Sequence, residues 1–389
     1  MKDLVILAGG KGLRLGNLTK KNQKTMLNFR KIPFLRFLLN YYCKFNIKKI
    51  YIITSFQSNE VFEKFHKKKI NLVEIVCIKQ PKPDGTAKAL NLIKNKVSNE
   101  FILVNGDTFF ETNLDNLLRI NLKNKFGCMI LVKQNKNIYS EKLNSLSIKN
   151  KIVDIKLSNK RLVSSGVMLL SKKIFDYFKD QPISFENDVL KKKIIQKKIL
   201  GYLENCFFLD IGSKSNYKFG QNLWNKKFTR PAIFLDRDGV INSNKNDYNY
   251  RISNFKFKRG ILKLIKKFQK KSYYIFIITN QAGIAKGKYS EIYFYKLQQY
   301  IKNKFDQNNI KIDHVEFCPH HPQATIKKYK KFCSCRKPKN GMINNILSNW
   351  LIDKKNSLMI GDKSSDELCA KKSNLKFYYY HEKLYNELL

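Results

Sequence analysis

Ala232-Ile233-Phe234-Leu235 is a short apolar run that ends at once in Asp236-Arg237-Asp238-Gly239. Few folds accommodate that order. A strand of this length delivers the first carboxylate to the edge of a sheet, and Gly239 lets the chain turn away immediately. One aspartate there can attack a phosphoryl group while the other handles the proton, with a divalent cation offsetting the crowded negative charge. The plainer alternative is a strand followed by an Asp-Gly turn, so the remainder of the chain has to decide.

At 389 residues the chain is long enough for two domains, and 43% hydrophobic residues supply cores for both. Apolar runs fall short of the roughly 18–20 residues that cross a membrane. Leu4–Ala8 is too short for a signal peptide and runs straight into glycines, so a soluble, cytoplasmic protein without a membrane partner is expected. The net charge of +46 raises nucleic-acid binding. The lysines are nevertheless spread along the whole chain among asparagines and isoleucines, so no nucleic-acid partner is expected, while phosphorylated small molecules would be attracted.

The first half opens with a strand-like run followed by Gly9-Gly10-Lys11-Gly12-Leu13-Arg14. Glycines after a first strand let backbone N–H groups approach phosphates, and Lys11 and Arg14 add charge. The spacing fits neither the dinucleotide fingerprint nor a Walker loop. It does resemble the L-A-G-G-x-G-x-R-L signature of the sugar-1-phosphate nucleotidyltransferases. The likeness continues through Lys24 in Gln23-Lys24-Thr25, Gln80 to Gly85-Thr86, Asp107, Ser165-Gly166-Val167, Phe185-Glu186 and Asp210. The resemblance implies nucleotide binding by Leu7, Ala8, Gly9, Gly10, Gly12, Gln80, Gly85 and Thr86. It further implies catalysis by Arg14 and Lys24, sugar contacts from a turn at Gly166 and from Glu186, and Mg²⁺ on Asp107 and Asp210.

A sugar phosphate attacking the α-phosphorus of a nucleoside triphosphate needs positioning and charge neutralisation, which such a set supplies. Two departures stand out. Gln23 replaces a flanking proline, which implies lost rigidity, and the family's second lysine has no clear counterpart among Lys156, Lys160 and Arg161. A degenerate domain that only holds a nucleotide is the alternative. Within the family, Asn105-Gly106-Asp107-Thr108-Phe109-Phe110 is most similar to heptose 1-phosphate guanylyltransferases, which favours GTP; UTP, CTP, ATP and dTTP stay open.

Between Gly212 and Arg230 a closing helix and a short linker are expected, giving domains at 1–225 and 231–389. After Pro231, strand and helix signals alternate as in an α/β sandwich. Ile261, Leu264, Ile265 and Phe268 line one helix, and Ile343, Ile346, Leu347 and Trp350 another. Thr279-Asn280-Gln281, Arg336-Lys337-Pro338 and Gly361-Asp362-Lys363 fall at strand ends or adjoining loops.

With the aspartate pair, these segments resemble the four motifs of the haloacid-dehalogenase-like phosphatases. The resemblance implies Asp236 as nucleophile, Asp238 as acid and base, and Thr279 and Lys337 as phosphoryl ligands. Asn280, Gln281, Arg336 and Lys363 would face substrate, and Mg²⁺ would sit on Asp236, Asp362 and the carbonyl of Asp238. Cys318, His320, Cys333 and Cys335 form a four-ligand set suited to structural zinc, with His321 the alternative to His320. Thr279-Asn280-Gln281-Ala282-Gly283-Ile284-Ala285-Lys286-Gly287 resembles the heptose bisphosphate group of these phosphatases.

The expected architecture is therefore α/β throughout. A Rossmann-like, GT-A-like mixed sheet comes first, followed by a haloacid-dehalogenase-like domain with a zinc loop. Together the resemblances imply consecutive steps on heptose phosphates, leading to a nucleotide-activated heptose for surface polysaccharide.

Overall fold

The computed structural model describes residues 1–133, 146–155, 162–178, 183–243, 248 and 250–388. They form two compact units, Met1–Leu223 and Trp224–Leu389. The division falls inside the helix Lys214–Phe228, so the expected linker is helical. Apolar burial explains this. Trp224 and Phe228 are buried with ring centroids 4.4 Å apart, and the Tyr274 hydroxyl donates to the Phe228 carbonyl at 2.9 Å.

The first unit is built on a ten-stranded mixed sheet. At its centre Lys2–Leu7 lies between Ile47–Thr54 and Glu100–Asn105, parallel to both. These strands are near-continuous hydrophobic runs because both faces are covered. Leu162–Ser171 pairs antiparallel with Glu100–Asn105 and with Gly127–Lys133. Gly166, expected in a turn, instead sits inside that long strand at a register shift between Ser164 and Met168, with φ +77°. This is a bulge, and glycine is required there. A Cβ would press on the Asn105 side chain.

Phe208–Asp210 pairs with Thr108–Phe110 in a two-stranded ladder separate from the main sheet, Asp210 opposite Thr108. That ladder solves the long sequence separation of Asp107 and Asp210. The Ile211 N–H donates to the Asp107 carbonyl at 2.9 Å.

The second unit carries five parallel strands in the order His314–Cys318, Tyr274–Asn280, Ala232–Leu235, Leu358–Gly361, Lys376–Tyr379. Helices Ile261–Lys270 and Gly341–Asn349 bury the predicted stripes. Asp236, Asn280, Cys318 and Asp362 lie at or just past the carboxyl ends of neighbouring strands. Open parallel sheets place their ligand sites at that edge. Among the described residues no helix is long and apolar enough to cross a membrane.

Candidate active sites of the two units

In the second unit, the Lys337 ammonium is buried and pairs with Asp236 at 2.6 Å and with Asp366 at 2.6 Å, and donates to the Ile278 carbonyl at 3.1 Å. Burial alone would lower its pKa, but Asp236 and Asp366 outweigh that and raise it, so it stays charged. Burial pushes the Asp236 carboxyl up to about 7 against the attraction of Lys337, with Asp366 and Asp238 adding to the rise. Asp366 was not anticipated from the sequence. Its signal was present: an aspartate four residues after Asp362, in the first turn of the helix Ser364–Lys372.

Ligand oxygens of Asp236, Asp362 and Asp366 lie within 4.8 Å of one another. One Asp362 oxygen is buried without a hydrogen-bond partner, and a Cβ on Gly239 would collide with that carboxylate. Crowded carboxylates with an orphaned oxygen fit a hard divalent cation such as Mg²⁺. Such a cation would supply charge neutralisation to Asp236 and to a phosphoryl group. Asp238 is not part of this carboxylate cluster.

Asp238 turns instead to Arg237, whose Nη2 reaches Oδ2 at 2.6 Å and whose Nε donates to Oδ1 at 3.0 Å. Asn242 donates at 3.0 Å and Gln281 at 2.9 Å. Burial raises the Asp238 carboxyl, but Arg237 and these amides prevail and hold it below the usual carboxylate range.

Two residues expected to face substrate have their amides engaged within the protein. Asn280 donates to the Lys337 carbonyl and accepts from the Lys337 N–H, each at 3.0 Å. Gln281 donates to both Asp238 and Thr279. Asp236, Asp238, Thr279, Asn280, Gln281, Lys337 and Asp366 line a cavity of about 620 Å³ together with Arg336 and Lys363, whereas Asp362 is not among its lining residues. Lys286, Tyr248 and Tyr289, which the sequence did not single out, also line it, as does His321.

Cys318, His320, Cys333 and Cys335 converge beside this cavity's Arg336-Lys337 segment. Sulfur separations run from 3.2 Å between Cys335 and either Cys318 or Cys333 to 3.5 Å between Cys318 and Cys333. His320 Nδ1 lies 3.4 Å from the Cys335 sulfur. Three thiols and an imidazole this close fit a closed tetrahedral metal centre. The structure places His320 in this set and His321 at the cavity wall.

In the first unit a cavity of about 520 Å³ is walled by Leu7 to Arg14, including Ala8, Gly9, Gly10 and Gly12. Lys24, Gln80, Gly85, Thr86, Asp107 and Glu186 complete it. Gly166 and Asp210 do not line it, although their neighbours Asn105 and Gly212 do. Lys24 pairs with Asp107 at 2.6 Å.

Glu186 accepts from the Thr86 hydroxyl at 2.8 Å, which ties the turn Phe185–Leu190 to the helix Thr86–Asn91. Gln80 donates to Asp84 at 2.9 Å and to the Gly85 carbonyl at 3.2 Å, fixing the loop before that helix. Gln23 corrects the expectation of lost rigidity. Its buried amide nitrogen donates to the Ala8 carbonyl and, at 2.6 Å, to the Thr54 hydroxyl, tying the glycine loop to a neighbouring strand end. Lys156, Lys160 and Arg161 lie outside the described residues.

Residues 4–222 match the family described as nucleotidyl transferase, and residues 232–380 match the family described as polynucleotide kinase 3 phosphatase. The chain is 41% identical over 141 residues to D-glycero-beta-D-manno-heptose-1,7-bisphosphate 7-phosphatase of Vibrio cholerae, covering 36% of this chain and 75% of that protein. It is 40% identical over 146 residues to the protein of the same name from Rhodopseudomonas palustris, covering 38% of this chain and 81% of that one. Among solved structures, HddC from Yersinia pseudotuberculosis aligns with a TM-score of 0.50 at 25% identity, over 58% of this chain and all of the other. The chain therefore belongs to the nucleotidyl transferase family through its first unit and to the haloacid-dehalogenase-like phosphatases, in the group of these bisphosphate phosphatases, through its second, and is an enzyme of both kinds.

Proposed function

We propose that the second unit removes the 7-phosphate from D-glycero-D-manno-heptose 1,7-bisphosphate and that the first unit converts the resulting heptose 1-phosphate into a nucleotide-activated heptose, with GTP as donor. The observation carrying this reading is the pairing of Lys337 with Asp236 beside Asp362 and Asp366, on a chain that also holds a glycine-walled cavity with Lys24 and Asp107. The names of the phosphatase relatives support the sugar. The likeness of Asn105–Phe110 to guanylyltransferases supports the base.

In the first reaction an Asp236 oxygen attacks the 7-phosphorus, and the bond from phosphorus to the sugar oxygen breaks. Asp238 must first take up a proton, as a phosphate brought in beside it favours; it gives that proton to the sugar oxygen, then takes one from the water that attacks the aspartyl-phosphate, releasing inorganic phosphate. Lys337 and Thr279 hold the phosphoryl oxygens. In the second reaction an oxygen of the sugar 1-phosphate attacks the α-phosphorus of the triphosphate and pyrophosphate leaves. Arg14, Lys24 and the amides of Gly9 to Gly12 hold the phosphates. Asp107 and Asp210 would hold a Mg²⁺, and the Cys318 set a structural zinc.

Incubating heptose 1-phosphate with each of GTP, UTP, CTP, ATP and dTTP and following pyrophosphate tests the donor. GTP should turn over fastest. Inert GTP beside an active alternative would remove the guanylyl assignment and keep the transferase, whereas no turnover with any donor would make this unit a nucleotide-holding module.

A further inference from the structure

Asp238 has to present its carboxyl to the leaving oxygen and later to water, so the groups that aim it matter as much as the carboxyl itself. Gln281 is one of them, and a primary amide can face either way. Its Nε2 donates to Asp238 Oδ2 at 2.9 Å and to Thr279 Oγ1 at 2.8 Å. Reversed, the amide oxygen would confront the Asp238 carboxylate, an acceptor against an acceptor. The carboxylate therefore sets the orientation, and the Tyr289 hydroxyl, donating to Gln281 Oε1 at 2.6 Å, holds the amide from its other end.

The ring that carries this hydroxyl is itself fixed. It stacks on Tyr250 with centroids 5.1 Å apart and planes 17° from parallel. A Cβ at Gly283 would strike it, so the absence of a side chain there admits the ring.

We infer that Tyr289 is a positioning residue for the phosphatase reaction: by fixing the Gln281 amide it aims Asp238 and Thr279 together. The inference rests on the phosphatase reading of this cavity. Tyr289 touches neither reacting group. Among the described residues its hydroxyl has Gln281 as its hydrogen-bond partner, at the junction between the acid–base aspartate and a phosphoryl ligand.

The test uses the full-length chain. Tyr289→Phe removes one hydroxyl and keeps the ring that stacks on Tyr250. Its kcat on the sugar bisphosphate should fall roughly tenfold, with KM within about twofold of the parent and an unchanged melting temperature. Gln281→Ala should lose at least as much. The double variant should be no slower than Gln281→Ala alone, because the inferred role of the hydroxyl runs through Gln281. In the first burst of p-nitrophenyl phosphate cleavage, where the leaving group departs without a proton, Tyr289→Phe should lose clearly less than on the sugar substrate. Tyr289→Phe turning over like the parent would overturn the inference. So would a double variant showing the full product of both single losses, or equal losses on both substrates with a lowered melting temperature. Full activity of Asp236→Asn would instead remove the phosphatase reading beneath it.

Discussion

The two cavities differ in how their charges are arranged. The second unit's cavity is built from charges already neutralising one another: Lys337 between Asp236 and Asp366, and Arg237 against Asp238. The first unit's cavity is walled in part by the glycine-rich loop Gly9–Gly12, whose backbone N–H groups can approach a ligand, and it holds the Lys24–Asp107 ion pair. In a prebuilt buried network, deleting one charge strands its partner, and that costs several kcal/mol. A backbone cradle loses less from any single side chain, because the incoming triphosphate supplies the charge.

That contrast orders the expected effects. The largest is Asp236→Asn. Hydrolysis of the bisphosphate should fall roughly a thousandfold or more, while nucleotidyl transfer to a supplied sugar 1-phosphate stays within about twofold of the parent. Assaying both reactions on one preparation checks this; a parallel loss of transfer would show that the variant disturbs more than its own site. Next is Asp107→Ala, which removes the ion-pair partner of Lys24 and a proposed cation ligand. Transfer should drop roughly a hundredfold or more, with hydrolysis unchanged, as read from pyrophosphate and inorganic phosphate release.

The zinc proposed for the Cys318 set should act through folding. Cys335→Ser, or a strong chelator, should release zinc and loosen the segment carrying Arg336 and Lys337, with roughly a tenfold loss of hydrolysis and a lowered melting temperature. Retention of both after complete zinc loss would reduce this centre to a bystander. The smallest effect is expected at Gln23→Ala. Losing one buried tie of about 1 kcal/mol should raise KM for the nucleotide roughly fivefold and leave kcat nearly unchanged, as titration with the triphosphate would show.

Strand ends and the residues they carry were legible because an apolar run followed by Asp or Gly admits few conformations. Asp236, Thr279 and Asp362 sit where such runs end. Legibility failed where a residue's partner comes from elsewhere in the chain. Asn280 and Gln281 read as substrate-facing, yet their amides are taken up by Lys337, Asp238 and Thr279, which no local pattern announces. Gly166 read as a turn through the family resemblance, whereas cross-strand register makes it a bulge. Gln23 read as a loss of stiffness relative to proline. Its side chain restores the tie through contacts with Ala8 and Thr54, residues distant in sequence. Asp366 was visible in the four-residue spacing from Asp362 but had no apolar run before it to draw attention.

Consecutive reactions on one chain are the central claim, and their stoichiometry tests it most directly. The intact chain is given heptose 1,7-bisphosphate and GTP, and inorganic phosphate, pyrophosphate and nucleotide-activated sugar are counted together. The account predicts equal amounts of all three, with activated sugar absent from Asp236→Asn and restored when heptose 1-phosphate is added. Activated sugar formed without release of inorganic phosphate, or phosphate released while heptose 1-phosphate accumulates beside every nucleoside triphosphate, would contradict it.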